Sequence, residues 1–566
     1  MKTMHAHNRT DPLASSASRH EAGAALVVGL SILMALTVLG TASLNTTSLD
    51  IRSAGNTRSA KQAFYLAEAG IAHGADIMQN NTASWDSLST LSSLIDGTTT
   101  VGSTGNYQLT ITSEPGSMRK LTSVGTTGSG GEAMIESTFR WSPSMKYPWE
   151  DALVGCDGVT INGNGETDSY NSDEGDYDPD NPGYEGDVST VNAGSFAAFN
   201  GNDVIRGDIN VIGDMDFGTN AESYGNVNLG GTLTLGNNAQ IHDYDNNTVH
   251  VGGNIDNASN NGIGDNASDT VPTFVSGDVN LGNNARIYGE LHAGGDLNFN
   301  HNNARQVGDA YVDGSVSHES KVIGDVYAGA TAPTNIPSVT PCDPLDVASL
   351  VNSNRPTVGP VADEEIDDDD QTWNTVGPHA FNNLDIKGNT TVNWDLSSVD
   401  EMTVYVGGDF NLQGNGEINV TGSGTVTLFV EGEMSTSGNG AINLNVNADD
   451  NVTLLIYTLG RVSIGGNGVV NNSTPTQCQI YTSFASTSDD PGSMTHMHGN
   501  ASFNGALYAP LSTVHSNGNA ATFGAIRGRE ITMTGNANFH YDEALGKIGV
   551  DDGSGTVSKV TWREVR

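Results

Sequence analysis

Val406 to Val420 reads VGGDFNLQGNGEINV, Val430 to Leu444 reads VEGEMSTSGNGAINL, and Leu459 to Asn472 reads LGRVSIGGNGVVNN. The Gly-Asn-Gly triplets begin at Gly414, Gly438 and Gly466, steps of 24 and 28 residues. Apolar pairs travel with them: Val404 and Val406, Leu428 and Val430, Leu454 and Ile456. An earlier pair, GTLTLGNNAQIH from Gly231 and GDVNLGNNARIY from Gly277, is offset by 46, or two turns of about 23. Short alternating strands at such a period predict a β-solenoid (a parallel β-helix), in which each coil buries its apolar row only by stacking on the next. Glycine belongs at corners with positive φ, and asparagines in successive corners form hydrogen-bonded ladders. A β-sandwich with glycine-rich loops is the alternative, but sandwiches do not repeat this regularly. The chain holds roughly 15 coils, in two blocks, 146–330 and 379–548. An acidic, proline-containing linker at 331–378 separates them, and a tail at 549–566 follows.

The rest of the composition agrees. Of 566 residues, 70 are glycine and only 16 % are charged, which suits short strands joined by tight turns. The formal net charge of −43 excludes nucleic acid as a partner, because no basic stripe offsets the repulsion of phosphates. Cations, basic partners and plain solubility remain.

Outward from the repeats, the N-terminus sets the compartment. Residues 1–23 are polar, with Lys2, Arg9 and Arg19. Ala24 to Leu44 then runs AALVVGLSILMALTVLGTASL without a charge. That length spans a bilayer and exceeds a signal-peptide core. Ala60, Ala63, Phe64, Ala67, Ile71, Ala75 and Met78 continue it as one apolar helix face, with Gly55-Asn56 as a weak point. Leucine-, valine- and isoleucine-bearing stretches between 88 and 141 predict short strands, including Tyr107–Thr112, Met118–Val124 and Met134–Trp141.

The N-terminus resembles PilX-type minor pilins of the type IV filament superfamily. The residues that carry this are Gly23-Ala24-Ala25-Leu26-Val27-Val28, Leu36-Thr37-Val38-Leu39-Gly40, Ser53-Ala54-Gly55-Asn56 and Ala63-Phe64-Tyr65-Leu66-Ala67-Glu68-Ala69-Gly70. Leu121–Thr126 adds to it. The resemblance implies a leader over 1–23, cut by a prepilin peptidase between Gly23 and Ala24. It also implies a pilin helix over 24–80 and a small β-meander over 81–145. Its partners are other pilins, after a stay as a single span of the inner membrane and before display on the pilus or cell surface. Major pilins carry glutamate where this chain has Val28, and its absence fits a minor or tip-proximal subunit. Gly499–Pro510 and Gly535–Leu545 are similar to an uncharacterised domain found behind PilX-type N-termini.

No catalytic motif is present, so an enzyme is not expected. The residues of a pectin hydrolase (GHG, RIK), a nucleophile elbow and a CxxC pair are all missing. His496, His498 and His540 read as surface residues. Asp168, Asp173, Asp176, Asp178 and Asp180 lie in DSYNSDEGDYDPD, hard oxygens of the kind calcium takes, although without EF-hand spacing. Asp363–Asp370, DEEIDDDD, reads as a solvated, extended acidic stretch. Of Cys156, Cys342 and Cys478, two can pair in an exported protein. Spacing does not choose the pair, and Cys156 with Cys342 is the candidate. The expected work is filament assembly or adhesion through the head. The alternatives are a tip pseudopilin of type II secretion, or a membrane-tethered protein that binds or hydrolyses surface polysaccharide.

Overall fold

The computed structural model describes residues 21–565, except 82–84, 86, 116–117, 267, 334–340, 344, 357–361, 448, 471–473, 487–492, 500–501, 519–520 and 537. The chain forms two compact units, Met1–Ser144 with Gly553–Arg566, and Met145–Asp552.

In the first unit a single helix, α1 (Glu21–Gln79), runs 59 residues without interruption. Gly55 does not break it: one glycine costs about 1 kcal/mol, and a helix already nucleated on both sides absorbs that. Ala63, Leu66, Ala67, Ile71 and Met78 are its buried stripe. They pack on an antiparallel sheet of β1 (Gly97–Val101), β2 (Gly105–Glu114), β3 (Met118–Thr127) and β4 (Glu132–Lys146). Burial alternates along β3, as one covered face requires. Gly125 on β3 permits the close approach, since a Cβ there would lie 2.1 Å from the Ala63 carbonyl oxygen.

Two expectations need correction in this unit. Leu88–Ile95 is a helix, α2, rather than a strand, because Leu91 and Ile95 share a face and Ser87 caps its start. The stretch 549–566 is not a tail. Val550–Val565 is the fifth strand of the small sheet, beside β4. Ser137 Oγ donates to the Thr561 carbonyl, and Glu136 pairs with Arg563. The Gln79 side chain bonds both Gly555 and Val557, and Phe64 meets Trp562 edge-on.

The second unit is a parallel β-solenoid with three strands per coil. The inferred corners are in place: Gly414, Gly438 and Gly466 have φ of 72°, 70° and 68°. Their following asparagines form a ladder, Asn439 to Asn415 to Asn389. A second ladder links Asn238, Asn220, Asn202, Asn164 and Asn536. The offset of 46 is two coils, Leu233 over Ile255 over Val279.

The two blocks are one stack, and their order is not the order of the chain. One outward column passes through sixteen rows: Ala380, Tyr405, Phe429, Tyr457, Tyr481, Tyr508, Arg527, Val154, Ser189, Asn210, Asn228, His250, Phe274, His292, Tyr311 and Tyr327. The chain enters mid-stack at Leu153, winds to Ala328 at one end, and returns to begin again at the other end. It then winds back until Ile526 lies on Leu153. A continuous apolar core fills the stack.

The stretch 331–378 is more than a linker. Its described residues include a short helix, α3 (Val347–Ser353), and two strands of the far-end coil, Glu364–Asp367 and Gln371–Trp373. The return segment follows the outward column. Thr331 bonds His292, Pro341 bonds Arg527, Asp343 bonds Tyr508, and Arg355 bonds Tyr405 and Glu431. Leu345, Val347 and Val351 are buried against the core, which gives this segment its apolar reason to stay.

Candidate functional site

The first half of α1 is an exposed apolar cylinder. Leu26, Val28, Leu33, Leu36 and Leu44 are each more than half exposed, and no ionisable residue stands between Glu21 and Asp50. Its threonine hydroxyls are satisfied within the helix. The hydroxyls of Thr37, Thr41, Thr46 and Thr47 donate to the carbonyls of Leu33, Thr37, Ala42 and Ser43. A helix whose side-chain donors are consumed one turn back needs no water, so lipid or other apolar helices can surround it. Val28 adds one more apolar surface where a carboxylate would need a partner. Gly23 and Ala24 lie in the first turn, and residues 1–20 of the leader lie outside the described residues.

The head does not bring the five aspartates together. Asp168 is fully buried, receives the Tyr177 hydroxyl at 2.7 Å and faces His540 Nδ1 at 2.6 Å. Asp173 pairs instead with Lys547. Asp178 caps its own turn at Asp180, and Asp176 is exposed. Among the described residues no group of three His, Cys, Asp or Glu side chains is placed to hold a metal. The loop serves as a clamp: Tyr177 lies on the His540 ring, Ser172 bonds Asp542, and Ser169 bonds Glu543. His540 is therefore a buried residue, not a surface one. His496 is partly buried beside His515 and His498, and burial holds its ring neutral, with the pKa lowered to about 4.

Cys156 and Cys342 form a disulfide that pins the return segment to the row where the chain enters the stack. Cys478 is buried in the core, and burial pushes its thiol up to about 12, so it is inert as a nucleophile.

A carboxylate corner makes the head sensitive to pH. Asp187 accepts the Asp208 amide, and burial pushes it up to about 8 with Asp151, Asp208 and Glu185 adding repulsion. Asp203, also buried, is pushed up to about 7. A carboxyl raised in the folded state stabilises the fold while protonated and loses that contribution as pH rises toward the folded value. His496 works in the opposite sense but only below its ordinary value. Between about pH 7 and pH 9 the carboxyls set the sign, and buried Cys478 adds in the same sense toward pH 9. The head is expected to lose on the order of 1–3 kcal/mol across that interval. Asp187→Asn, which keeps the acceptor, should flatten the slope in thermal unfolding.

The sequence carries one further periodic signal. Aromatic residues recur once per coil at Tyr405, Phe429, Tyr457, Tyr481 and Tyr508. That column is the outward one the return segment covers.

Comparison with known proteins places two segments. Residues 22–72 match the family described as PilX N-terminal. Residues 334–455 and 441–548 match a domain of unknown function, DUF7305. No curated protein matches the chain. Among solved structures, the competence-associated pilin ComZ from Thermus thermophilus is 12 % identical, with 90 % of this chain and 97 % of that one covered, at a TM-score of 0.20. An ice binding protein from an Antarctic bacterium, Flavobacteriaceae, is 13 % identical, with coverage of 70 % and 97 % and a TM-score of 0.13. Likenesses at these scores carry neither fold nor function to this chain. The helix similar to the PilX N-terminal family is exposed and apolar in its first half and packed on a small antiparallel sheet in its second, and the chain adds a β-solenoid head to it.

Proposed function

We propose that this chain is a minor subunit of a type IV filament that carries its solenoid outward for filament assembly or adhesion, without enzymatic activity. A prepilin peptidase cuts between Gly23 and Ala24. Helix α1 then crosses the inner membrane once before it passes into the filament among the helices of other pilins, and the acidic head reaches the cell exterior. The observation that carries this reading is the division of α1: an apolar half with its threonine hydroxyls bonded back, then a half fixed to the sheet. Surface polysaccharide or a host or abiotic surface is the class of ligand for the head.

The test is the content of sheared filaments. The wild-type chain should co-purify with them. Leu36→Asp places a charge that costs roughly 2.5–3.5 kcal/mol at the centre of an apolar helix. It should lower filament content about tenfold or more while leaving the head folded. Wild-type chain absent from filaments would sink the proposal.

A further inference from the structure

One end of the solenoid is guarded and the other is open. The guarded end begins with Glu364–Asp367, in a run of seven carboxylates over eight residues, Asp363 to Asp370. Ile366 beneath them is buried. Charge on an edge strand resists pairing with another sheet. The open end is different. In the inward column Leu291 and Ala310 are fully buried, but Val326 in the last row is 37 % exposed. Ile323 and Tyr327 beside it are 59 % and 42 % exposed. Among the described residues, Val322–Ile323 and Val326–Ala328 pair only with the preceding row. A stack of coils normally closes its apolar end with a polar capping repeat.

We propose that this open end is a homotypic docking surface, where a second copy of the chain pairs its own Val326–Ala328 antiparallel across a two-fold axis. The charges select that partner. The corner that leads into the last row carries Glu319 and Lys321 together. A two-fold axis through the Val326–Ala328 face maps this corner onto its counterpart, so Glu319 of each copy meets Lys321 of the other. Lys321 Nζ donates to the His301 carbonyl at 2.6 Å and has further protons to give, and Glu319 is exposed. The axis also sets Tyr327 over Tyr327. That extends the ring stack of His292, Tyr311 and Tyr327, whose centroids are 4.6 and 5.0 Å apart. Joining two guarded ends would oppose fourteen carboxylates, seven from each. Joining a guarded end to an open one would make an endless fibre and bury the same acids. Only open end on open end closes without burying these acids. The contact is one coil in cross-section, so the association is weak, as small interfaces are. It does not depend on the filament reading, and the readout needs no filament.

The full-length chain in detergent is measured by sedimentation at rising concentration. Wild type is expected to form dimers. Lys321→Glu and Tyr327→Lys should each raise the dissociation constant about tenfold or more. The double exchange E319K/K321E should restore association, which a merely misfolded variant cannot do. Glu365→Lys at the guarded end should change nothing. Association that survives Lys321→Glu and Tyr327→Lys alike, through α1 alone, overturns the proposal. So does a wild-type monomer at every concentration, or dissociation caused by Glu365→Lys.

Discussion

Cys342→Ser lowers the stability of the head by roughly 2–5 kcal/mol. The disulfide to Cys156 closes 186 residues of chain, and loop entropy alone gives about 5 kcal/mol as an upper figure for a loop of that length. The loss has a location. Without the bond, the described residues of the return segment keep their hydrogen bonds to Arg527, Tyr508, His292, Tyr405 and Glu431, the ion pair of Asp343 with Lys146 and the packing of Leu345, Val347 and Val351, all of which are non-covalent. Protease cleavage is therefore expected first within 341–355, before the coils open. Reduction of the wild-type protein should reproduce the variant, since buried Cys478 contributes no exchange partner. A denaturation midpoint and cleavage pattern equal to wild type would show that the segment is held without the disulfide.

Deleting residues 550–566 disables the first unit and takes from the solenoid only the edge packing of Val550. The strand they form closes the sheet beside β4 and supplies Trp562 and Val557 against α1. Losing a partly buried tryptophan, a valine and an edge ladder of backbone bonds costs at least about 3 kcal/mol, a large fraction of what so small a core provides. The truncated chain should be cut rapidly within 88–146 and resist cutting in the head. It should also be absent from filaments. A peptide spanning 550–566, added in trans, should restore protection. A truncated chain that keeps its protection would make the strand dispensable. Because this strand follows the whole head in sequence, the sheet of the first unit is complete only after the solenoid has been synthesised.

What the sequence revealed, and what it hid, divides along one physical line. Features that repeat locally were legible: the Gly-Asn-Gly corners, the paired apolar residues at Val404 and Leu428, the two-coil offset from Leu233 to Val279, and the stripe from Ala63 to Met78. Each is set by period and backbone conformation within one coil or helix. Features set by contacts across hundreds of residues were not. Nothing near Ile526 says that it rests on Leu153, so the sequence reads as two blocks with a linker. The strand Val550–Val565 carries the polar run DDGSGT at 551–556 and so reads as a tail, though Val560 and Trp562 hint at alternation. Asp168 was grouped with its acidic neighbours by composition. Its partner His540 is 372 residues away, and only the stacked coils bring them together.

Entry of this chain into the pilin pathway through α1 is decided at its N-terminus. The N-terminal sequence and intact mass of the mature protein are to be measured in cells with and without the prepilin peptidase. A start at Ala24 is expected when the peptidase is present and an uncut chain when it is absent. An N-terminus unaffected by the peptidase would contradict it and leave a solenoid held on the membrane by an ordinary anchor.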